Sequence, residues 1–240
     1  MNKIVLITGG SRGIGKATSI ELANQGYFVC INYRSDSKSA KDLEKQINLN
    51  GGKALSIKAD LSVEQHVLKL FERIDELDGN LYGLVNNAEI IGEESTLLNM
   101  TVKRIRRIFD VNVIGTFLCS KEAIKRMTFG GSIVNISSGA SKSGSPNEYI
   151  DYAASKGAID TFTIGLAKEV AQNNIRVNSI RPGFIDTEIH KIPNRLEKIK
   201  PMIPMKRAGQ PIEIAKLVVW LLSDEASYTT GAIIDVAGGR

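Results

Sequence analysis

Histidine, cysteine and long apolar runs are scarce in this chain of 240 residues, and each scarcity removes a class of function. The two cysteines, Cys30 and Cys119, sit in one strand-like and one helix-like run. Their spacing offers no disulfide framework and no zinc site; it predicts small core hydrophobes in a reducing compartment. His66 and His190 have no motif around them, so no metal is expected. Met1-Asn-Lys leads into an apolar run too short for a signal peptide, and no stretch approaches a membrane span. A cytoplasmic protein with no membrane partner is expected.

What is present is an ordinary globular composition, 42% hydrophobic and 24% charged, sufficient for a sizeable core. No repeat, low-complexity tract or linker interrupts it, so residues 1–240 read as one domain. The net charge is +5, with Lys103, Arg104, Arg106 and Arg107 clustered on one predicted helix. Such a cluster could attract an acidic partner or nucleic acid. No nucleic-acid motif accompanies it, and with Ile105 and Ile108 turned inward a solvated helix face is the simpler reading.

Short aliphatic runs alternate with helical periodicity along the chain. Strands are predicted at residues 3–7, 27–32, 54–59, 81–85, 132–136, 176–180 and 232–236. Helices are predicted at 13–24, 37–49, 62–77, 102–127, 152–173 and 211–223. That alternation predicts an α/β fold with a parallel sheet. Between residues 188 and 210 the periodicity fades and Pro193, Pro201 and Pro204 appear, which predicts a lid or binding loop.

The first strand runs into Thr8-Gly-Gly-Ser-Arg-Gly-Ile-Gly15 and then a helix. Glycines there let the backbone approach a pyrophosphate, whose charge suits a helix N-terminus. The spacing, Gly9-x-x-x-Gly13-x-Gly15, is not GxGxxG. After the second strand Arg34 precedes Asp36, and Arg12 lies in the glycine turn. An acid there holds ribose hydroxyls whereas an arginine accommodates a 2′-phosphate, so the order predicts NADP over NAD. Asp60 after the third strand could accept from an adenine amino group, cap the following helix, or both. Asn112, amid Val111, Val113 and Ile114, needs partners. It is either a structural bridge, which the residue alone favours, or part of a buried proton relay.

Tyr152 and Lys156 stand four apart near a predicted helix start, so their side chains share one face. An unperturbed phenol ionises at about 10, and an adjacent ammonium favours phenolate, so the pair could exchange a proton near neutral pH. Ser138, at the end of the fifth strand, could donate to the same carbonyl oxygen. Taken alone, the pair reads first as a stray Tyr and Lys on a solvated helix face.

The odds change when the motifs are taken together. Thr8-Gly-x-x-x-Gly-x-Gly15, Asp60, Asn86-Asn87-Ala88, Asn112, Ser138, Tyr152-x-x-x-Lys156, Asn178 and Pro182-Gly183 occur in the order found in the short-chain dehydrogenase/reductase family, which the whole chain resembles. The resemblance implies a single Rossmann-like, doubly wound domain with a seven-stranded parallel sheet flanked by helices on both faces. It implies nucleotide binding mainly by residues 1–135 and an active site with its lid mainly in 136–210. It also implies Tyr152 as general acid/base, Lys156 lowering its pKa and holding the nicotinamide ribose, Ser138 polarising the carbonyl and Asn112 in the proton relay. Gly9, Ser11, Arg12, Gly13, Ile14 and Gly15 match the pyrophosphate turn; Asp60 and Leu61 match the adenine contacts. Asn87 and Ala88 match the loop beside the nicotinamide ribose; Pro182, Gly183, Ile185 and Thr187 match the segment beside the carboxamide. A homotetramer is implied as well.

Two features depart from the family pattern. Its Asn-Asn-Ala-Gly ends here in Glu89, placing a carboxylate where a glycine usually sits. If that position needs a backbone conformation reserved for glycine, glutamate would strain it, and the new charge is expected to weaken NADP binding. The interval from Ser138 to Tyr152 is also one residue longer than in many members, and Ser-Pro-Asn-Glu-Tyr-Ile-Asp-Tyr resembles glucose 1-dehydrogenase-like members. Tyr149 is a rival for Tyr152, but only Tyr152 stands four before a lysine.

The expected activity is hydride transfer between NADPH and a carbonyl. A 3-oxoacyl thioester on acyl carrier protein suits the basic surface and an apolar lid of Phe184, Ile189, Ile192, Met202 and Ile203. A sugar or polyol is the alternative substrate. A non-catalytic dinucleotide-binding module is the alternative class, with Glu89 as its one hint.

Overall fold

Seven parallel strands form one sheet in the order β3-β2-β1-β4-β5-β6-β7. The computed structural model describes residues 2–187 and 199–240. The strands are β1 (Lys3–Ile7), β2 (Phe28–Tyr33), β3 (Lys53–Lys58), β4 (Asn80–Asn86), β5 (Gly131–Ile136), β6 (Ile175–Pro182) and β7 (Ile233–Val236). Side chains alternate across β1, sending Ile4 and Leu6 to one face and Val5 and Ile7 to the other. Both faces must therefore be covered, which is why the strands read as unbroken aliphatic runs.

Helices α3 (Glu64–Asp75), α5 (Gly115–Arg126) and α7 (Ile150–Val170) cover the first face, with Phe71, Ala123 and Leu166 in its core. On the second face, α1 (Gly13–Asn24), α2 (Ser37–Leu49) and α8 (Pro211–Leu222) bring Leu22, Leu43 and Val218. Cys30 and Cys119 are fully buried in the first core, and burial pushes both thiols up to about 12, which leaves them inert. The doubly wound seven-stranded architecture expected from the sequence is the one observed.

Two local features differ from the sequence expectation. The helix predicted at 102–127 is α4 (Val102–Phe109) and α5, joined by a π-helical turn at Asp110–Ile114. Thr116 donates its hydroxyl to the Asn112 carbonyl at 2.9 Å within this widened turn. A short helix, α6 (Ala140–Ser143), follows β5 where none is predicted; just before it, the Ser138 hydroxyl accepts from the Ala140 amide at 3.1 Å. The irregular stretch after Thr187 lies partly outside the described residues, and Ile189, His190, Ile192 and Pro193 fall there. Among the described residues no helix is long and apolar enough to cross a membrane, and no cluster could hold a metal ion.

Strand order reverses between β1 and β4, opening a crevice at their carboxyl ends. Gly15 makes the close approach there: a Cβ on it would overlap the Gly9 carbonyl oxygen and stand 2.6 Å from Asn87 Nδ2. Gly15→Ala is expected to cost about 1–3 kcal/mol by forcing these backbones apart. Urea denaturation checks this; an unchanged midpoint would show that the turn relaxes freely.

Candidate active site

The crevice is assembled by side chains that tie loops from separate strands. Thr8 Oγ1 accepts from the amides of Asn87 and Ala88, each at 2.9 Å, and donates to the Val85 carbonyl at 3.2 Å. Asn87 Nδ2 returns bonds to the Thr8 and Gly9 carbonyls, each at 3.0 Å. The glycine turn after β1 and the loop after β4 thus form one unit.

Along that unit, Gly9 and Gly13 have positive φ (59° and 51°), and a Cβ on Gly13 would meet Thr187 Cγ2 at 3.3 Å. Thr187 is thereby placed against the glycine turn. Helix α1 begins beside it with no side-chain cap and no acid in its first turn, which leaves its first amides for an anion. Ser11 is buried, Ile14 half-buried, and Arg12 exposed. Arg34 is exposed just past β2. Asp36 is engaged as the cap of α2, accepting from the Ser39 amide at 3.0 Å and its hydroxyl at 2.7 Å, and these bonds hold its carboxyl below the usual range.

Asp60 accepts from the Ser62 hydroxyl at 2.6 Å, the Ser62 amide at 3.1 Å and Arg107 at 3.3 Å. Burial works to raise its carboxyl, but these bonds outweigh it and hold the group low. Leu61 is buried, 3.1 Å from where a Cβ on Gly115 would stand. Across the crevice the Pro182 carbonyl accepts from Gly139, Gly183 donates to Val236, and Ile185 is buried beside Gly209.

At the far end α7 presents Tyr152 and Lys156 to the loop that carries Glu89. Lys156 Nζ donates to the Ile136 carbonyl at 2.7 Å and pairs with Glu89 Oε2 at 2.6 Å. The Tyr152 hydroxyl donates to the same oxygen at 3.0 Å, and Ser138 hydrogen-bonds the phenol. Tyr152 and Lys156 are both buried.

This geometry corrects the expectation of a phenol drawn toward neutrality by Lys156. Burial, and then the Glu89 charge, push the Tyr152 phenol well above its ordinary value; only Ser138 works the other way. The lysine that should favour phenolate is balanced by the carboxylate between them. The expected backbone strain at Glu89 is also corrected: among the described residues the non-glycine positions with positive φ are Ser145, Asn147, Asn174 and Lys206, so position 89 does not need glycine's left-handed conformation. The substitution acts through its side chain.

The Asn112 side chain braces this loop. Its Oδ1 accepts from the Ile90 amide at 2.9 Å, and its Nδ2 donates to the Ile90 carbonyl at 3.0 Å and to Ser155 Oγ at 3.2 Å. Ser155 in turn donates to the Tyr152 carbonyl at 2.7 Å. Those are the bonds of the structural bridge that the residue alone suggests.

A second brace escapes the sequence reading. Arg104, one of the four clustered cations, forks onto Asp151 at 2.7 and 3.1 Å and donates to the Glu93 carbonyl at 2.6 Å. Asp151 also accepts from the Tyr152 amide at 3.0 Å, so Arg104 fixes the start of α7. An acid immediately before the key tyrosine was the available signal. Tyr149 donates its hydroxyl to Glu94 at 3.1 Å, while Tyr152 faces Lys156.

Asn112→Ala is expected to destabilise the protein by about 1–3 kcal/mol for each Ile90 backbone group it leaves unpaired. Thermal and urea unfolding measure this; full stability would mean the loop finds other partners.

The family described as enoyl-(acyl carrier protein) reductase matches residues 9–240. An uncharacterized oxidoreductase of Escherichia coli (strain K12), YgfF, is 52% identical over 99% of both chains. Glucose 1-dehydrogenase 2 of Bacillus subtilis (strain 168) is 40% identical over 99% of this chain and 94% of its own. A 3-oxoacyl-[acyl-carrier-protein] reductase of Synechocystis sp. is 37% identical over 99% and 96%. A solved double mutant of a Serratia marcescens short-chain dehydrogenase/reductase superposes with a TM-score of 0.94 at 32% identity, covering 99% of this chain and 97% of that one. Seven parallel strands, the tied glycine turn and these relatives together place the chain in the short-chain dehydrogenase/reductase family of oxidoreductases.

Proposed function

We propose that the protein interconverts a carbonyl and a secondary alcohol with NADP(H). The observation that carries this reading is the convergence of the Ser138 hydroxyl, the Tyr152 phenol and the Lys156 ammonium at one end of the crevice, beyond the glycine turn.

The residues fit the cofactor. The uncapped, acid-free start of α1, with Gly9 before it and Gly13 at its first position, both at positive φ, is a cradle for a pyrophosphate. Arg12 and Arg34 are exposed near it, while Asp36, the acid that would hold ribose hydroxyls, is spent on capping α2. That distribution supports a 2′-phosphate partner, hence NADP over NAD. When bound, the nicotinamide supplies or accepts the hydride.

The chain's own residues handle the oxygen. Ser138 donates a hydrogen bond to the carbonyl oxygen and polarises it. Tyr152, kept protonated by burial, delivers its proton to that oxygen as negative charge develops. Lys156, anchored on the Ile136 carbonyl, holds the ribose and steadies the phenolate left behind. Asn112 keeps this group in register through Ile90 and Ser155 and stands at the inner end of the proton path.

A 3-oxoacyl thioester is the leading substrate class, with acyl carrier protein as its carrier; the Synechocystis relative and the net charge of +5 support it. Among the described lid residues, Phe184 lies under the Arg240 guanidinium and Met202 is exposed, which offers an apolar rim. A sugar or polyol is the second reading, supported by the Bacillus glucose dehydrogenase likeness. Ile114, Phe117 and Ile164 form an exposed apolar face on the π-turn, α5 and α7, where Phe117 stacks on Phe162 at 4.0 Å. We assign that face to a homotetramer contact. The inert, reduced thiols accord with a cytoplasmic location.

Turnover is measured by NADPH absorbance with an acetoacetyl thioester and with glucose. Tyr152→Phe should lower it by about 10²–10⁴-fold while leaving NADPH affinity unchanged. Undiminished turnover would overturn the assignment. Arg34→Ala should weaken NADPH binding by about 10–100-fold and leave NADH binding unaltered, since it removes one charge-assisted contact. Calorimetric titration checks this, and equal losses for both cofactors would refute the 2′-phosphate reading.

A further inference from the structure

Glu89 holds the two groups that the proposed reaction needs free. Its Oε2 lies 2.6 Å from Lys156 Nζ and 3.0 Å from the Tyr152 hydroxyl. Among the described residues Lys156 has one other hydrogen-bonded partner, the Ile136 carbonyl, and its side chain is only 3% exposed. The contact is built rather than incidental, because the backbone on both sides of Glu89 is fixed. The Ala88 amide is bonded to Thr8, and both backbone groups of Ile90 are bonded to Asn112. The Glu89 side chain is 20% exposed against 3% for Lys156, so it is the less enclosed partner of the pair.

We propose that Glu89 is a positioning residue that clamps the catalytic pair in the free enzyme, and that cofactor binding must displace its carboxylate from Lys156 and Tyr152. The proposal rests on the NADP(H) oxidoreductase reading above. A ribose hydroxyl and a substrate oxygen need the same ammonium and phenol hydrogen that Glu89 now takes, and those groups cannot serve both at full strength. The observed affinity is then the intrinsic affinity multiplied by the open fraction of molecules; a clamp closed in about nine of ten molecules weakens binding about tenfold.

The clamp also sets the proton state. The carboxylate that meets the phenol oxygen is Glu89 from the loop after β4; the Lys156 ammonium, on the same helix, lies 5.5 Å from the ring centroid, and the neutral Ser138 hydroxyl comes from the loop after β5. Removing the carboxylate leaves Lys156 unopposed and makes the phenol easier to ionise. Alcohol oxidation, which needs phenolate, would then reach its plateau at lower pH.

The test compares the full-length protein with Glu89→Gln and Glu89→Gly, using calorimetric titration with NADPH and with NADP+. Gln keeps the length and loses the charge, so it carries the test if the Gly variant folds poorly by circular dichroism. Both variants should bind the cofactor about tenfold tighter. The KM for cofactor should fall in step, and at subsaturating cofactor the rising, acid-side limb of the pH profile of alcohol oxidation should move to lower pH. Unchanged affinity and an unmoved limb, or weaker binding by folded Glu89→Gln, would overturn the clamp while leaving the oxidoreductase reading intact. Failure of wild type and both variants to bind either cofactor would overturn that reading and the clamp with it.

Discussion

Two loops meet where the strand order reverses, and beyond the last backbone bond, from the Thr8 amide to the Val85 carbonyl, side-chain hydrogen bonds keep them in register. Thr8 takes both amides of Asn87 and Ala88, Asn87 takes two carbonyls of the glycine turn, and Asn112 takes both backbone groups of Ile90. Parallel strands cannot pair beyond their ends, so without these bonds the backbone there would depend on water. Each bond is worth only about 0.5–1.5 kcal/mol net. Their value lies in geometry, since they set where Glu89, Tyr152 and Lys156 meet.

That meeting shows what a sequence conveys and what it withholds. The seven strands, the glycine turn and Tyr152-x-x-x-Lys156 were legible because each is a local pattern of period, spacing or residue type. The π-turn at Asp110–Ile114 was not, because a continuous helical period runs straight through it. The Arg104–Asp151 fork joins residues 47 apart, and the Tyr152–Glu89 bond joins residues 63 apart. Charge counting sees Arg104 as one of four surface cations; the fold instead commits it to Asp151, and Arg107 to Asp60 and Ser62. The direction of the Tyr152 shift was missed for the same reason. Spacing gives the lysine, while only the tertiary structure gives its counter-charge.

The glycine-to-glutamate departure was visible in the sequence, but its meaning was not. A backbone argument predicts strain, and the strain is absent because position 89 does not adopt positive φ. A charge argument predicts interference near the nicotinamide, and the geometry locates it at Lys156 and Tyr152. The distinction matters physically. Strain would weaken the fold whether or not cofactor is present, whereas a side-chain clamp leaves the fold intact and acts only on the groups it holds.

A carboxylate in that place also balances a charge that would otherwise be costly. Lys156 is buried, and an unpaired buried ammonium loses hydration that one carbonyl bond does not restore. In a member with glycine at this position, water or the cofactor's ribose would have to meet that need. Here Glu89 meets it within the free protein, so the resting site is electrically satisfied before anything binds. On the clamp proposed above, the same pairing that settles Lys156 at rest is what an incoming ribose must replace, so that stability of the empty site is gained at the expense of affinity for the cofactor.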